Sequence, residues 1–456
     1  MAIETINPFD NKVVKSFDEF SDETVQSKIA KADEAFNNWK NKSVTERAAL
    51  LTKVSELLLK DKRKYAELIT LEMGKLIAES EGEIELSASI YKYYADNAEK
   101  FLADKPFETK EGSAYVHYSP IGVILGVEPW NYPFYQVARV SAPNIAAGNV
   151  IMVKHASNVP QCAKAIEDVF KEAGAEEGIY TNLYVSGKKI GLLAADDRIK
   201  GLALTGSEEA GASLAEAAGK NLKKSVLELG GSDAFIVLDD ADIDHAVENA
   251  FNGRMKNTGQ SCTAAKRLIV VESIADEFLE KFTKKMSNLK VGDPADESTE
   301  IGPLSSEGAA KGLAEQVKDT IDAGAKVLLG GKRLDREGAF MEPTILTNIK
   351  KGMRAYHEEL FGPVASFYRV KDEAAAIALA NDSNFGLGGA VFSKDVERAE
   401  KVALQIETGM IFINTATQSS PELPFGGTKR SGYGRELSSL GIEEFVNKKL
   451  IRISEN

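Results

Sequence analysis

The sequence contains little cysteine and histidine, with two Cys and four His among 456 residues. Cys162 and Cys262 lack the spacing of a zinc site or a disulfide framework, so we expect no metal and a reducing compartment. Uninterrupted apolar runs are short, and none approaches the ~18–20 residues that a bilayer-spanning helix requires. The first residues, MAIETINPFDNKVV, lack the apolar segment of a secretory signal. These absences predict a cytoplasmic protein without a membrane partner.

Positive charge is also scarce, since 56 Lys and Arg face 69 Asp and Glu and the net charge is -13. Because nucleic acids bind to basic surfaces, this balance argues against a nucleic-acid partner. An anionic ligand would need a local group of cations. The composition, with 43% hydrophobic and 27% charged residues, is that of a globular protein, and the length allows about three domains.

The order of helical and strand patterns indicates an α/β fold. Through residue 101 apolar residues recur every three or four positions, as in the long segment from Ile77 to Phe101. Short apolar runs then alternate with helical segments of ~10–15 residues, which is typical of parallel sheets. Two series of such units meet near Gly230-Gly231, and the alternating tail from Lys448 predicts an edge strand.

Several widespread catalytic motifs are absent. The sequence has no G-x-x-x-x-G-K-[ST] for nucleoside triphosphates, no H-E-x-x-H for zinc and no G-x-S-x-G elbow. It also has no G-x-G-x-x-G fingerprint after a predicted strand. This does not exclude a dinucleotide cofactor, because a helix N-terminus binds phosphate without that fingerprint.

Three polar segments carry residues suited to catalysis. The run Gly259-Gln-Ser-Cys262 places a thiol among small and amide residues, between a predicted helix and a predicted strand. Glu228 ends a predicted parallel strand before two glycines, where α/β sheets present ligands. Asn131 lies in a loop between two prolines and carries an amide that can donate to an oxyanion. Taken singly, such residues are more often structural, and we expect Cys162, in a predicted helix, to be a core residue.

These segments belong to an ordered set that spans most of the chain. The others are Leu204-Thr-Gly-Ser207, Glu358-Glu-Leu-Phe-Gly-Pro-Val364, Asn384-Phe-Gly-Leu387 and Pro424-Phe-Gly-Gly-Thr-Lys-Arg-Ser-Gly432. In this order the set resembles the aldehyde dehydrogenase superfamily. The resemblance implies two Rossmann-like α/β domains plus a small β oligomerisation arm. We expect a cofactor-binding domain of residues 1–108 and 122–230, a catalytic domain of residues 231–430, and an arm with the C-terminal strand of residues 109–121 and 431–456.

By this resemblance Cys262 is the nucleophile, whose thiolate attacks an aldehyde to give a thiohemiacetal and, after hydride transfer, a thioester. Asn131 and the Cys262 backbone N–H would hold the oxyanion, and Glu228 would activate the water that hydrolyses the thioester. The family's cofactor-binding positions correspond here to Trp130, Lys154, Ser157, Gly206, Ser207, Leu229, Glu359 and Phe361.

The residue three after Lys154 bears on the choice of cofactor. Relatives that prefer NAD often carry Glu there, whereas this chain has Ser157. The Ser removes the repulsion that a carboxylate exerts on a 2′-phosphate, and Lys154 could pair with that phosphate. We therefore expect NADP, with NAD as the alternative. His155 replaces the Pro that is more usual after this Lys, and we assign it no function.

The predicted substrate is a small aldehyde, and Arg139 and Ser420 indicate which one. In succinate-semialdehyde dehydrogenases an Arg in this register and a Ser before Pro-Phe-Gly-Gly hold the distal carboxylate, which suits a bidentate guanidinium. Lys256 stands where some of those enzymes have a second Arg, which predicts a looser clamp. The alternatives are glutarate semialdehyde, an uncharged aliphatic aldehyde, CoA-acylating release of the thioester, or a binding protein without activity. The family's arm and C-terminal strand imply a homodimer or homotetramer.

Overall fold

The computed structural model describes residues 3–110 and 112–454 and confirms the predicted α/β class. Over these residues the strands are β1 (Ile3–Asn7), β2 (Lys12–Phe17), β3 (Lys105–Phe107), β4 (Ser113–Pro120), β5 (Val123–Glu128), β6 (Val150–His155), β7 (Tyr180–Asn182), β8 (Ile199–Thr205), β9 (Lys224–Glu228), β10 (Ala234–Val237), β11 (Arg267–Val271), β12 (Lys326–Leu329), β13 (Thr344–Thr347), β14 (Val364–Val370), β15 (Phe385–Gly386), β16 (Gly389–Phe392), β17 (Phe412–Ile413), β18 (Thr428–Lys429), β19 (Gly432–Tyr433) and β20 (Val446–Ile453). The α-helices are α1 (Asp22–Trp39), α2 (Val44–Lys60), α3 (Lys62–Met73), α4 (Ile77–Phe101), α5 (Tyr135–Ala147), α6 (Pro160–Glu172), α7 (Ile190–Ala195), α8 (Glu208–Lys220), α9 (Ile243–Met255), α10 (Glu272–Ser287), α11 (Glu307–Asp322), α12 (Arg354–His357), α13 (Glu373–Asn381), α14 (Val396–Ala403) and α15 (Ser438–Ile442). Single 3₁₀ turns lie at Gly187–Lys189 and Lys256–Gly259.

The first α/β unit contains a six-stranded sheet with the strand order β19-β9-β8-β5-β6-β7. Strands β5 to β9 are parallel, and β19 runs antiparallel beside β9. Because parallel strands end at the same edge of a sheet, the last residues of β5, β8 and β9 lie side by side there. These residues are Glu128, Thr205 and Glu228, so the carboxyl edge of the sheet is polar.

The second unit contains a seven-stranded sheet with the order β12-β13-β14-β11-β10-β16-β17, in which β12 is antiparallel to its neighbour. Its central strands are buried on both faces, which explains the continuous apolar runs in the sequence. The loops that precede β10, β11 and β14 contribute Gly230, Cys262 and Glu359 to one cavity that Glu228 also lines. The cavity therefore lies between the carboxyl edge of the first sheet and the amino edge of the second.

Helix α5 is buried at every position from Tyr135 to Ala147 and packs against α2, α4 and the first sheet. Side chains that are removed from bulk water on every face of a helix must find polar partners inside the protein. Gln136 and Arg139 are two such side chains, with exposed fractions of 2% and 1%. The partners of these two residues therefore determine what each can do.

The arm is a three-stranded antiparallel sheet with the order β20-β4-β3. Strand β4 pairs with β20 along its whole length, from Ser113 opposite Ile453 to Pro120 opposite Val446. The alternating tail thus forms an edge strand, as predicted, and it leaves Leu450 exposed. The domain boundaries stay predictions. Strand pairing shows that β3 belongs to the arm sheet and that β19 belongs to the first sheet.

Among the described residues, no helix is both long and apolar enough to cross a membrane. In the same part of the chain, no group of three or more His, Cys, Asp or Glu side chains could hold a metal ion. Both cysteines are free thiols, and Cys162 is fully buried on α6, as expected of a core residue.

Candidate active site

Two cavities meet at Cys262. The larger has a volume of about 320 Å³ and lies against α5, α9 and the segment from Thr415 to Ser419. The smaller has a volume of about 210 Å³ and lies at the carboxyl edge of the first sheet. Cys262 and Gln136 line both cavities. A thiol at such a junction can react with a ligand from one cavity while a second ligand occupies the other.

A strained turn presents Cys262 at this junction. Asn257, Thr258 and Gly259 have φ angles of 55°, 53° and 75°, and such angles are rare for a β-branched residue such as Thr. At Gly259 a Cβ atom would lie 2.2 Å from the carbonyl oxygen of Gly362, so only glycine fits. Backbone strain of this kind often occurs at functional sites, where the surrounding structure enforces it.

The charges around the thiol act in opposite directions. Burial raises the pKa of Cys262 to about 12, and Lys266 and Arg139 oppose this effect. Lys266 is almost fully buried, and its ammonium donates to the carbonyl oxygens of Ser261 and Cys262, at 2.7 Å each. It also pairs with Glu359 at 2.8 Å. Lys266 is therefore the cation that most favours the thiolate, and it connects the loop of Cys262 to Glu359.

Asn131 lies at the other side of the thiol, in the loop that links β5 to α5. Its Nδ2 atom donates to the carbonyl oxygen of Gln260 at 3.1 Å, which leaves the second N–H of the amide for an oxyanion. The backbone N–H of Cys262 has no acceptor among the described residues. Asn131 and Cys262, which carry the two donors that the sequence indicated, line the same cavity.

A buried ion pair holds the Asn131 loop in place. Lys75 and Glu83, each with 1% of its side chain exposed, pair at the start of α4. The Lys75 ammonium donates to the carbonyl oxygen of Asn131 at 2.9 Å, and Glu83 accepts from the backbone N–H of Phe134 at 2.9 Å. A buried ion pair is stable only when both charges also have hydrogen-bond partners. The bonds that Lys75 and Glu83 form to the Asn131 loop therefore hold this loop in position.

Glu228 ends β9 and lines the smaller cavity together with Asn131 and Cys262. Neither oxygen of its carboxyl group has a hydrogen-bond partner among the described residues. Burial raises the pKa of Glu228 well above its ordinary range, the neighbouring Glu436 raises it further, and Arg139 opposes both. A carboxyl group with a raised pKa and free oxygens is suited to accept a proton from water.

The two residues predicted to hold a substrate carboxylate differ in position. Arg139 lines the larger cavity, but its Nε atom forms an ion pair with Glu436 and its guanidinium stacks on Phe425, 4.2 Å from the ring centre. Ser420 does not line that cavity, whereas Ser419 does and accepts from the Tyr135 hydroxyl at 2.7 Å. The role of Ser420 stays a prediction, and the cavity lining adds Ser419 as the hydroxyl that faces this cavity.

Lys256 also lines the larger cavity. Its side chain is exposed, and it forms no ion pair with a described residue. The ammonium of Lys256 thus differs from the Arg139 guanidinium, which a carboxylate already balances. Of the two cations that line this cavity, Lys256 is exposed to solvent and Arg139 is buried.

Most residues predicted to bind the cofactor line the smaller cavity. They are Trp130, Gly206, Ser207, Leu229, Glu359 and Phe361. Ser207 caps helix α8 by accepting from the backbone N–H of Ala210 at 3.3 Å, so the N-terminus of this helix opens on the cavity. The Trp130 and Phe361 rings meet edge to face, 5.7 Å apart, and close its other side.

Lys154 and Ser157 lie outside the lining of this cavity, at and just beyond the end of β6. Lys154 is half-buried and forms no ion pair with a described residue, and burial lowers its pKa. An unpaired, partly buried ammonium gains from an incoming anion. Burial and the Lys154 charge lower the pKa of His155 to about 3, so this imidazole is neutral. Nothing in the structure explains why a His stands at this position.

Sequence reasoning missed Gln136, Lys266 and Glu436. Lys266 gave a signal, since a charged residue directly precedes the apolar strand β11 and must find a buried partner. Gln136 gave a weaker one, as a polar residue on a helix with a largely apolar sequence. The pairing of Glu436 with Arg139 joins distant parts of the chain and leaves no local trace.

Comparison with known proteins adds a family and several relatives. The sequence model of the aldehyde dehydrogenase family matches residues 1–451. The chain is 52% identical over 448 residues to a succinate-semialdehyde dehydrogenase [NADP(+)] of Deinococcus radiodurans, covering 98% of this chain and 94% of the relative. It is 47% identical to a probable succinate-semialdehyde dehydrogenase [NADP(+)] of Synechocystis, with both chains covered completely. The crystal structure of succinic semialdehyde dehydrogenase from Streptococcus pyogenes in complex with NADP+ superposes with a TM-score of 0.98 at 48% identity, covering 99% and 100% of the two chains.

Replacing Lys266 with Met tests the charge balance at the thiol. The ammonium is lost while an unbranched chain remains, so we expect a higher pKa of Cys262 and about tenfold slower alkylation by iodoacetamide at pH 8. All variants carry Cys162→Ala, which leaves a single thiol. Lys223→Met is the matched control, because Lys223 also donates to two carbonyl oxygens, those of Ala194 and Asp196. Equal alkylation rates for both variants would contradict the assignment.

Proposed function

The chain belongs to the aldehyde dehydrogenase family, and on that premise we propose that it oxidises succinate semialdehyde to succinate with NADP+. One observation carries the proposal: the Cys262 thiol lies where two cavities meet, with Glu228, whose buried carboxyl oxygens have no hydrogen-bond partner among the described residues, in the wall of one and Lys256 in the wall of the other. The first arrangement suits thioester chemistry, and the second suits an aldehyde that carries a distal carboxylate.

Acylation begins at Cys262. The thiolate attacks the aldehyde carbon, and the oxygen takes up negative charge as the tetrahedral thiohemiacetal forms. Asn131 Nδ2 and the Cys262 backbone N–H donate to that oxygen. Each such donor lowers the activation barrier by about 3–4 kcal/mol. The Lys75 and Glu83 pair keeps Asn131 in place during the step.

Deacylation uses Glu228. Its carboxylate accepts a proton from water, the water oxygen attacks the thioester carbonyl, and the thiolate of Cys262 leaves. The raised pKa makes Glu228 a stronger base than an exposed carboxylate would be. Because Glu228 acts only when ionised, the rate of this step rises with pH through the elevated pKa.

The residues that line the smaller cavity suit the nicotinamide and pyrophosphate parts of a dinucleotide. The first N–H groups of α8, next to Gly206 and Ser207, would hold the pyrophosphate, and Glu359 would accept from the ribose beside the nicotinamide. A Cβ atom at Gly230 would lie 2.7 Å from Glu359 Oε2, so a side chain there would displace the Glu359 carboxylate. When bound, the cofactor supplies a hydride acceptor, by which the thiohemiacetal on Cys262 becomes a thioester.

Lys154 and Ser157 support NADP over NAD. The unpaired ammonium of Lys154 would meet the 2′-phosphate, and the small Ser157 leaves room for it. Leu229 would contact the cofactor while it packs on α8, where a Cβ at Gly211 would lie 2.6 Å from Leu229 Cδ2.

We propose that the residues that bind the distal carboxylate of the substrate differ from the predicted Arg139 and Ser420. Lys256 supplies the cation at the cavity mouth, Ser419 and Tyr135 supply hydroxyl groups, and Arg139 adds positive potential from the wall. Ser420 keeps no role in this clamp. Glutarate semialdehyde would extend further toward Lys256, and an uncharged aldehyde would gain nothing from it.

We further propose that the protein works in the cytoplasm as a homodimer or homotetramer. Two free thiols fit a reducing compartment. The edge strand β20 offers unpaired backbone groups and an exposed Leu450 to a second copy.

A substrate panel tests the proposed function. Succinate semialdehyde, glutarate semialdehyde and butanal are compared with NADP+ and with NAD+, and product is analysed with and without CoA. We expect the highest kcat/KM for succinate semialdehyde with NADP+, and free succinate as the product. Acyl-CoA as the main product, or equal kcat/KM for butanal, would refute the proposal.

Glu228→Gln separates acylation from hydrolysis. The variant retains a burst of NADPH, because Cys262 still forms the thioester, but its steady-state rate falls by about 10²–10⁴-fold. In the native protein kcat rises with pH through the raised pKa of Glu228, and in the variant this rise disappears. Stopped-flow absorbance at several pH values measures both effects, and loss of the burst itself would contradict the assigned role.

Ser157→Glu tests the choice of cofactor. A carboxylate beside the 2′-phosphate repels it, so the ratio of kcat/KM for NADP+ to that for NAD+ should fall about tenfold or more. Ser157→Ala, which adds no charge, should leave the ratio close to its native value. An unchanged ratio in the Glu variant would place the phosphate elsewhere.

Lys256→Met tests the substrate clamp. The KM for succinate semialdehyde should rise about tenfold while the KM for butanal stays constant, since only the first carries a carboxylate. Lys256→Arg keeps the charge and should stay close to native. Arg139→Ala should instead lower kcat for both aldehydes, because Glu436 loses its buried partner. An equal rise in KM for both substrates in the Met variant would show that Lys256 does not bind the substrate carboxylate.

A further inference from the structure

Gln136 is the residue that the assigned roles leave unexplained. It projects from the fully buried helix α5, and it lines both cavities beside Cys262. Its Nε2 atom donates to Asn131 Oδ1 at 3.0 Å. Its Oε1 atom is buried and has no donor among the described residues.

The orientation of this amide follows from its neighbours. The carbonyl oxygen of Gln260 only accepts, so Asn131 must turn its Nδ2 toward it, at 3.1 Å. Asn131 Oδ1 then faces Gln136 and requires a donor, which only Nε2 of that amide provides. The chain of bonds therefore turns Gln136 Oε1 away from Asn131 and leaves it as an unpaired acceptor.

A second unpaired acceptor lines the same cavity. Both carboxyl oxygens of Glu228 are buried without a hydrogen-bond partner among the described residues. Two buried acceptors attract a ligand that brings two donors, and a water molecule has two O–H groups. A substrate carbonyl oxygen, which only accepts, gains nothing from either group.

We propose that Gln136 Oε1 and Glu228 together hold the water that hydrolyses the thioester on Cys262. One O–H of the water donates to each acceptor, and the lone pair of its oxygen is left for the carbonyl carbon. This inference rests on the proposed function. Gln136 is then a catalytic residue, because it contacts a reacting molecule.

The step balances without a further reactant. The water oxygen forms a bond to the carbonyl carbon, and Glu228 takes the proton that had been bonded to it. The tetrahedral intermediate then collapses, the C–S bond breaks, and its electron pair returns to the sulfur of Cys262. The proton that faced Gln136 remains on the carboxylic acid, which ionises after release.

Gln136 could instead act only by fixing Asn131, and the two roles predict different results. The oxyanion donor serves every nucleophile that attacks the thioester, so its loss slows them equally. A water-holding acceptor serves water alone, because a neutral amine such as hydroxylamine attacks through its lone pair without prior loss of a proton.

The test is the partition of the thioester between water and hydroxylamine. By rapid mixing, native protein and Gln136→Met first react with NADP+ and less than one equivalent of succinate semialdehyde. Hydroxylamine is added at several concentrations once the NADPH burst has consumed the free aldehyde, and the ratio of succinate to hydroxamate is measured. We expect the ratio to fall about tenfold to a hundredfold in the variant, since water loses its alignment. Asn131→Ala is the control that slows both products and keeps the ratio.

Each outcome has one meaning. A native ratio in Gln136→Met, with both rates reduced, would overturn the inference and leave Gln136 as a positioning residue for Asn131. If native protein yields no hydroxamate and no NADPH burst, the proposed function itself fails. Alkylation of Cys262 at the native rate verifies that the variant is folded, and Gln136→Leu repeats the test if the Met variant does not fold.

Discussion

The turn from Asn257 to Gly259 has to keep three successive positive φ angles, and the geometry of the site depends on what enforces them. The carboxylate of Glu79 accepts the backbone N–H of Asn257 at 3.0 Å. Arg254, which is fully buried, donates to the carbonyl oxygens of Gly259 and Gly362. Helix α4, helix α9 and the loop before β14 thus converge on one turn. The thiol stays between the two sheets because these distant segments oppose relaxation of the backbone.

Buried charge is arranged around this turn in a way that the net charge of -13 conceals. Lys75 and Arg139 each have a carboxylate partner inside the protein, so each forms part of a buried ion pair. Lys154 and Lys256 form no ion pair with a described residue; Lys154 is half-buried near the end of β6, and Lys256 is exposed in the wall of the larger cavity. The paired cations therefore stabilise the structure of the site, while the unpaired cations attract anionic ligands.

The sequence predicted the helices and strands well, but it did not predict which buried polar side chains pair with each other. Helix α4 has the predicted bounds, since its apolar period is regular over many turns. Cys262, Glu228 and Asn131 were identified because ordered motifs carry them, and the structure brings them to one cavity. The ion pair of Arg139 could not be predicted, because it depends on how β19 returns beside β9. The free oxygen of Gln136 likewise follows only from the full chain of hydrogen bonds around it.

Strand β19 and Glu436 come from the end of the chain, yet they complete the first sheet beside Glu228 and neutralise Arg139. During synthesis on the ribosome, α5 and β9 emerge long before the residues that follow β18. Until then the guanidinium of Arg139 lacks its carboxylate, and a buried unpaired charge opposes compaction of α5. The first α/β unit therefore gains its final packing only after β19 and Glu436 have been synthesised, because β19 completes its sheet and Glu436 neutralises Arg139.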